Sequence, residues 1–398
     1  MMKYLIIGNG VAGTTAAFNI RKLDSSGEIT ILSNESLPFY SRIRLIDYLA
    51  DETDEENLII YKNNWYEKNK ITLLLNTTAS EIDKDKKQVI ISNGEKLEYD
   101  KLLVSTGGTS FVPAIPGADK KGVFTLRTLK DARAIINYAK DAKNVLLIGG
   151  GLLGLEAGNS LRKTGHKVSV AEFFPRLLPR QLDPEGAKIF KLQMEAMGLV
   201  FYLGARTKEI TGNDKAAGLI LEDRTVINCD LIIISAGIRP QAELGKQLGI
   251  KINKGLPVND RLETEVKDIY AAGDLIEHRG VFYGIWPAAE KQGEIAGINM
   301  TGGNAVYEGT TPSNVLKIAG INLAVAGDID TEGKYESIIK KDEHAFIYKK
   351  LIVKDNVLSG CIFYGDISGY RKILKAIGEK RNIEQIRKDI EKWDLSRL

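Results

Sequence analysis

The residues best suited to chemistry in this sequence are two sets of three glycines, each spaced as GxGxxG. Each set follows a short apolar run and precedes a stretch with helical spacing. In such a unit the first glycine allows a tight turn, the second admits a phosphate close to the backbone, and the third lets the helix pack on the strand. The free N–H groups that begin the helix then bind a pyrophosphate. The sequence therefore predicts two dinucleotide sites, one at Gly8, Gly10, Ala12 and Gly13 and one at Gly149, Gly151 and Gly154.

An acidic residue follows each glycine motif at a distance that suits binding of a ribose. Glu35 comes 27 residues after Gly8, and Glu172 comes 23 residues after Gly149, close to the roughly 20 residues expected for such a carboxylate. A carboxylate accepts a hydrogen bond from a ribose 2′-hydroxyl and repels a 2′-phosphate. Glu172 therefore favours NADH over NADPH at the second site, although Arg176 lies close by in the sequence.

Three further strand ends carry small residues past which a cofactor can run close to the backbone. They are Thr106–Gly107, Gly237 and Gly273–Asp274. A carboxylate at Asp274 can accept hydrogen bonds from the ribityl hydroxyls of FAD, so we expect FAD at the first site and NADH at the second. A helix is predicted from Pro287 to Met300 because proline favours the first helical position. Its positive N-terminus would suit a flavin, and Trp286 beside it is a further candidate contact.

The order of the elements predicts an α/β fold with two Rossmann-like dinucleotide-binding domains and a small α+β C-terminal domain. The strand–GxGxxG–helix–strand pattern repeats at an offset of 141 residues, which indicates a duplicated nucleotide-binding unit. We expect the FAD-binding domain to comprise residues 1–110 and 237–308, interrupted by an NADH-binding domain over 111–236. Residues 309–398 form the predicted C-terminal domain, with short strands and one charged helix over 370–393.

The composition excludes several other classes of protein. The 55 Lys and Arg residues nearly balance the 52 Asp and Glu residues, and nothing resembles a nucleic-acid-binding fold, so we expect no nucleic-acid partner. The two cysteines form no CxxC and the three histidines are scattered, so no metal site is expected. No apolar run approaches the ~18 residues of a membrane helix or suffices for a signal peptide. We therefore expect a cytoplasmic protein that does not bind membranes.

Five motifs follow one another along the sequence, at Gly8–Gly13, Ser105–Gly107, Gly149–Gly154, Ser235–Pro240 and Thr264–Asp274. In these motifs and their order, the sequence resembles the flavoproteins with two dinucleotide-binding domains, the pyridine nucleotide–disulfide reductase superfamily, over essentially its whole length. Residues 35–42, 174–183, 314–320 and 361–366 are similar to the NADH:rubredoxin reductase branch. The resemblance implies one FAD per chain and places Glu156, the candidate catalytic residue, against the nicotinamide carboxamide. Arg42 is a further candidate cofactor-binding residue.

The sequence departs from most of this family in lacking a redox cysteine. Disulfide reductases of the family carry CxxxxC after the first acidic strand, and its peroxidases and water-forming oxidases carry one cysteine there. Residues 38–49 contain none, and Asp47 occupies the stretch in which some oxygenase-coupled relatives place a lysine. Cys229 and Cys361 are expected to be buried packing residues. The electron acceptor must therefore be a separate molecule.

The leading prediction is an FAD-dependent NADH oxidoreductase that passes electrons to rubredoxin or a similar small one-electron carrier. Because rubredoxin is acidic, the surface of this protein on which it docks should be positive. Arg42 and Arg44 are one candidate surface. A second is the group of five cations over residues 371–381, which a solvated helix face would also explain. The oligomeric state stays open.

Three other functions remain open from the sequence. A peroxide-forming NADH oxidase would use O₂ and needs no docking surface. A flavoprotein subunit of a larger electron-transfer complex would supply only the flavin half of that assembly. A flavoprotein whose redox state controls binding would turn over slowly and form a tight charge-transfer complex with the nicotinamide.

Overall fold

The chain divides into two compact units in a computed structural model that describes residues 1–310 and 313–398. The first unit comprises residues 1–45, 53–111 and 238–310. The second comprises residues 46–52 and 112–237 together with the described part of the C-terminal segment. The assignment of separate FAD-binding, NADH-binding and C-terminal domains stays a prediction.

The described elements are short strands and helices in an alternating order. The strands are β1 Lys3–Ile7, β2 Glu28–Leu32, β3 Ile71–Leu74, β4 Ala79–Asp83, β5 Gln88–Ile91, β6 Lys96–Glu98, β7 Lys101–Val104, β8 Gly108–Ser110, β9 Val123–Phe124, β10 Asn144–Ile148, β11 Lys167–Glu172, β12 Val200–Leu203, β13 Thr207–Thr211, β14 Gly218–Leu221, β15 Val226–Asn228, β16 Leu231–Ile234, β17 Ile238–Pro240, β18 Leu256–Val258, β19 Ile269–Ala271, β20 Ile276–His278, β21 Ser313–Ile318, β22 Ile321–Gly327, β23 Glu336–Asp342, β24 Ile347–Lys354 and β25 Val357–Tyr364. The helices are α1 Val11–Leu23, α2 Leu45–Leu49, α3 Glu55–Leu58, α4 Asn63–Lys68, α5 Leu129–Ala139, α6 Leu152–Lys163, α7 Pro184–Ala196, α8 Glu243–Gln247, α9 Trp286–Met300, α10 Tyr370–Gly378 and α11 Arg387–Glu391, with a 3₁₀ turn at Glu384–Ile386.

The core of the first unit is a parallel sheet in the order β19-β7-β1-β2-β3. The central strand β1 ends at Ile7, which pairs with Leu32 of β2 and Val104 of β7. The apolar side chains of β1 are buried, as expected for a parallel sheet that is covered on both faces. Because the strands run in one direction, the segments that follow β1, β2, β7 and β19 emerge at the same edge.

Helices α1 and α9 pack closely because two glycines of α9 face the backbone of α1. A Cβ atom on Gly293 would lie 2.3 Å from the carbonyl oxygen of Ala12, and one on Gly297 would lie 2.7 Å from that of Ala16. Any larger side chain would therefore separate the helices. This packing fixes α9 beside the helix that begins in the first glycine motif.

The second unit contains a parallel sheet in the order β12-β11-β10-β16-β9 and an antiparallel sheet in the order β21-β22-β25-β24-β23. Helix α7 begins after Asp183, whose carboxylate accepts a hydrogen bond from the backbone N–H of Gly186 at 2.9 Å. The same carboxylate accepts hydrogen bonds from the Tyr348 hydroxyl at 2.7 Å and the Lys350 ammonium at 3.0 Å. This buried cluster joins α7 to the antiparallel sheet. The two Rossmann-like sheets and the antiparallel sheet confirm the predicted fold class.

The prediction of one charged helix over 370–393 is wrong. Helix α10 ends at Gly378, and Lys380 then adopts a positive φ of 51°. The chain next runs beside β25, where the backbone N–H of Leu358 donates to the carbonyl of Arg381. These hydrogen bonds to a strand replace helical ones, and α11 begins only at Arg387.

Candidate cofactor and electron-transfer site

The first glycine motif forms a tight turn between β1 and α1. Gly8 has a φ of +114°, and a Cβ atom there would lie 2.2 Å from the carbonyl oxygen of Ser105. A Cβ atom on Gly13 would lie 2.0 Å from the carbonyl oxygen of Gly8. Glycine is therefore required at both positions by the fold itself.

Gly10 is different because no atom lies within 4 Å of the position its Cβ would occupy. It caps α1, which has no side-chain cap and no acidic residue in its first turn. Such a helix end carries backbone N–H groups and partial positive charge, and α1 itself supplies no anion to compensate them. The residues present therefore fit a bound pyrophosphate, and Ala12 lies in the same first turn.

The predicted residues at the ends of β7 and β19 lie at the same sheet edge as this turn. Thr106 donates its hydroxyl to the carbonyl of Gln241 at 2.9 Å, and Gly107 has a positive φ of 70°. Gly273 also has a positive φ, of 88°, and Asp274 follows it as a partly buried residue. Gly237, the last residue of the second unit's central segment, has a φ of +99°.

A residue missed from the sequence, Gln292, fixes the turn at Gly273. Its side-chain oxygen accepts a hydrogen bond from the backbone N–H of Gly273 at 2.8 Å, and its amide nitrogen donates to the Tyr307 hydroxyl at 3.2 Å. Gln292 is only 1% exposed. The one available signal was a glutamine among the small apolar residues of α9, which indicates a buried polar contact without identifying it.

Glu35 and Arg42 are brought together by the loop that follows β2. An Arg42 guanidinium nitrogen lies 2.5 Å from one Glu35 oxygen, and the Tyr40 hydroxyl donates to the other. A carboxylate has about four lone-pair sites, so this ion pair leaves Glu35 able to accept a further hydrogen bond. Arg44, the other cation proposed for docking, donates to the carbonyl of Asn57 at 2.8 Å.

Helix α9 begins at Trp286, one residue before the predicted start. Its N-cap, Ile285, supplies no side-chain hydrogen bond, and its first turn holds no acidic residue. The partly buried Trp286 ring lies with its centroid 5.8 Å from that of Phe39. This second uncapped helix end belongs to the same unit as Gly10.

The second glycine motif repeats the geometry of the first. A Cβ atom on Gly149 would lie 2.3 Å from the carbonyl oxygen of Ser235, and one on Gly154 would lie 2.7 Å from that of Gly149. No atom lies within 4 Å of the Cβ position of Gly151, which begins α6 without a side-chain cap. A pyrophosphate therefore fits this turn as it fits the first.

Glu172 is the last residue of β11 and is 5% exposed. Its two carboxylate oxygens accept hydrogen bonds from the backbone N–H groups of Gly150 at 2.5 Å and Phe174 at 2.8 Å. The carboxylate is thus held beside the glycine turn, as a ribose-binding acid should be. Its preference for NADH over NADPH stays a prediction.

Glu156 lies on α6, two residues after Gly154, and contacts the C-terminal segment. One of its carboxylate oxygens accepts a hydrogen bond from the backbone N–H of Ala319 at 3.2 Å. Ala319 and Gly320 form the two-residue turn between β21 and β22, both with positive φ. The structure therefore shows Glu156 holding this turn, and its contact with nicotinamide stays a prediction.

Both cysteines are buried, as the sequence predicts. Cys229 is 3% exposed and Cys361 is fully buried. Burial raises the pKa of each thiol to about 12, so neither forms an appreciable thiolate near neutral pH. Neither side chain therefore has the environment of a redox-active cysteine.

The cations over residues 371–381 are all exposed. Lys375 lies 3.7 Å from Glu379, and Lys372 donates to the carbonyl of Leu395. Among the described residues, no cluster of His, Cys, Asp and Glu could hold a metal ion. No helix in residues 1–310 and 313–398 is long and apolar enough to span a membrane.

Known protein families match both the first three quarters and the C-terminal part of this chain. Residues 2–293 match the family model "Pyridine nucleotide-disulphide oxidoreductase", and residues 312–381 match "Rubredoxin NAD+ reductase C-terminal domain". The chain is 37% identical over 390 residues to the assimilatory nitrate reductase electron transfer subunit of Bacillus subtilis, covering 98% of this chain but 51% of that protein. It is 32% identical over 342 residues to the NADH oxidase of Methanocaldococcus jannaschii, covering 82% of this chain and 76% of that protein.

A relative of matching length is the NADH-rubredoxin oxidoreductase of Clostridium acetobutylicum. The two are 32% identical over 385 residues, which is 96% of each chain. The crystal structure of that protein superposes with a TM-score of 0.82 at 31% identity, over 96% of this chain and 97% of the other. The Bacillus nitrate reductase subunit, in contrast, is about twice as long as the matched segment. The chain belongs to the pyridine nucleotide-disulphide oxidoreductase family.

Proposed function

We propose that this protein is an FAD-dependent NADH oxidoreductase that passes electrons to rubredoxin or a similar small one-electron carrier, without a redox-active cysteine. The observation that supports this proposal most is the burial of the two cysteines. Both are buried, both have a thiol pKa of about 12, and the sequence contains no others. With no thiol to relay electrons, the acceptor must take them from the cofactor directly.

In this proposal the first unit binds FAD, which when bound accepts two electrons as a hydride and releases them singly. The turn from Gly8 to Gly13 and the N–H groups at the start of α1 hold the pyrophosphate. Glu35 accepts a ribose hydroxyl, and Arg42 orients Glu35 through their ion pair. The backbone around Thr106, Gly107, Gly273 and Asp274 lines the path of the cofactor, with Trp286 as a further contact.

The second unit binds NADH in the same proposal. Gly149, Gly151 and Gly154 form the turn, and the uncapped start of α6 holds the pyrophosphate. Glu172 accepts the ribose hydroxyls and disfavours a 2′-phosphate. Glu156 positions the nicotinamide carboxamide, and its hydrogen bond to Ala319 would keep its carboxylate in place.

Two other functions have specific support. The NADH oxidase relative favours O₂ as the acceptor. The relative that is an electron transfer subunit, of which this chain spans about half, favours a flavoprotein part of a larger assembly. The carrier reductase is favoured over both because residues 312–381 match the model of a rubredoxin NAD+ reductase C-terminal domain and because one relative is an NADH-rubredoxin oxidoreductase.

The test is steady-state oxidation of NADH by the purified FAD-loaded protein, with purified rubredoxin as acceptor and with O₂ alone. The proposal predicts that rubredoxin is reduced far faster than O₂ is consumed. An O₂ rate that equals or exceeds the rubredoxin rate would favour an oxidase. Slow turnover with both acceptors would favour a subunit whose acceptor lies in another protein.

A further inference from the structure

An open groove in the first unit combines an apolar floor with a positive rim. Its volume is about 530 Å³. Its apolar lining includes Ile238, Ile252 and Phe282, which are half-buried and are taken as its floor. Arg239, Lys246 and Lys254 also line it, and their side chains are exposed, so they are taken as its rim. No carboxylate is among the described residues that line it. The groove is therefore apolar inside and cationic around its edge.

The acidic side chains nearest these cations leave most of the positive charge uncompensated. Lys246 pairs with the exposed carboxylate of Glu243 at 2.8 Å. The Lys254 ammonium donates to the neutral carbonyl of Gly280 at 2.9 Å, while its backbone N–H binds Glu277. Arg239 lies over the ring of Phe111 at 4.4 Å. Among the residues that the structure describes, no carboxylate pairs with the Arg239 guanidinium or the Lys254 ammonium, so an acidic molecule would meet at least these two cations.

The elements that form this groove continue directly from the candidate flavin-binding segments. Strand β17, which carries Ile238 and Arg239, pairs with β8, whose first residue follows Gly107. Phe282 lies four residues before Trp286, and a Cβ atom on the intervening Gly284 would lie 3.2 Å from the Phe282 ring and 3.6 Å from Ile238. A partner bound in this groove would lie beside the segment that follows Gly107 and the segment that leads to Trp286.

The form of the groove favours a protein surface over a small anion. Arg239 and Lys254 are exposed, and no buried polar side chain lines the floor to orient a small molecule. Specific small-molecule sites normally include a few fixed polar groups. Exposed cations around an apolar patch suit the rim and core of a protein interface.

We propose that this groove is the docking surface for a small acidic iron–sulfur electron carrier, an inference that rests on the proposed function. It differs from the Arg42–Arg44 and 371–381 surfaces because its cations surround an apolar contact area. Arg42 is held by Glu35, so its charge is already compensated. The carrier's carboxylates would face Arg239, Lys246 and Lys254, and its apolar surface would cover Phe282.

The test compares R239E/K254E with the matched control K96E/K267E, which makes the same charge change at exposed lysines of the same unit that do not line the groove. Electrostatic steering changes association rates by about 10- to 1,000-fold. We expect R239E/K254E to lower kcat/KM for purified rubredoxin at least about tenfold at low salt. The loss should shrink at 1 M salt, where the screening length is about 3 Å. R239Q/K254Q should fall between the wild type and R239E/K254E.

Bound FAD and NADH oxidation with neutral benzoquinone show that each variant is folded and accepts electrons. If kcat/KM for rubredoxin is unchanged in R239E/K254E, or falls equally in K96E/K267E, the groove is not the docking surface and the proposed function stands. If the wild type reduces benzoquinone but not rubredoxin or an acidic ferredoxin, the carrier function and this docking site are both wrong.

Discussion

Alanine substitutions at Gly10 and Gly151 separate binding of the two cofactors from the stability of the fold. No atom lies within 4 Å of either Cβ position. The backbone of Gly10 has φ −95° and ψ −166°, and that of Gly151 has φ −76° and ψ 170°. Alanine adopts both conformations readily. Each substitution therefore adds a methyl group to open space rather than to the core.

The expected change in folding free energy is small because two effects oppose each other. Losing glycine at a helix N-cap costs about 0.5–1 kcal/mol. Restricting the unfolded chain stabilises the protein by about 0.4–1 kcal/mol. If a pyrophosphate lies against the same backbone, the added methyl group overpacks that contact at about 1–3 kcal/mol. That corresponds to a roughly 5- to 150-fold loss of cofactor affinity.

The assay measures the dissociation constant for FAD after reconstitution, KM for NADH and the melting temperature. G10A should weaken FAD binding, and G151A should raise KM for NADH while FAD content stays unchanged. Each variant is the control for the other. If both variants fold and neither changes affinity for its cofactor, or if G151A releases FAD, the assignment of the two turns is wrong.

Three further predictions concern stability, thiols and pH. Lys350→Met leaves a buried carboxylate without its cation and should lower the free energy of unfolding by about 3–5 kcal/mol. The control Lys341→Met removes the cation of an exposed pair and should change the free energy of unfolding by less than about 1 kcal/mol. Equal effects of the two substitutions in urea titrations would contradict this prediction. Cys229→Ala with Cys361→Ala should keep the rate of carrier reduction, and the native thiols should not react with a thiol reagent at pH 8; rapid labelling or lost turnover would contradict their burial. Burial alone would raise the pKa of Asp366, but hydrogen bonds from a lysine and a serine lower that pKa to about 2. This is below the pKa of about 3.9 that an aspartate has in the unfolded chain. The stabilising contribution of Asp366 is therefore present above about pH 4 and is lost as pH falls towards 2. Asp366→Asn should flatten that part of the stability profile, and an identical acid transition would refute the assignment.

The glycine turns were predictable because their sequence pattern and their geometry have one cause. A short apolar run followed by GxGxxG specifies a buried strand, a tight turn and a helix, and the structure has all three at Gly8 and at Gly149. The ends of β7 and β19 were also predictable, since small residues follow apolar strands there. These features depend on local sequence.

Features that depend on distant residues were not predictable. The helix over 370–393 is interrupted because the chain beside Arg381 pairs with residues at the start of β25. The contact of Glu156 with Ala319 joins residues 163 positions apart. The groove combines residues near 238–254 with Phe282, and no motif connects them. Gln292 carries no sequence signal for its contact with Gly273.

The reduced protein should pass its electrons directly to a carrier. Stopped-flow mixing of the anaerobically NADH-reduced protein with oxidised rubredoxin, and separately with air-saturated buffer, measures this transfer. We expect the absorbance of oxidised rubredoxin to disappear at least about ten times faster than O₂ reoxidises the protein at equal acceptor concentration. Reoxidation by O₂ that is as fast as reoxidation by rubredoxin, or a carrier that stays oxidised, would contradict it.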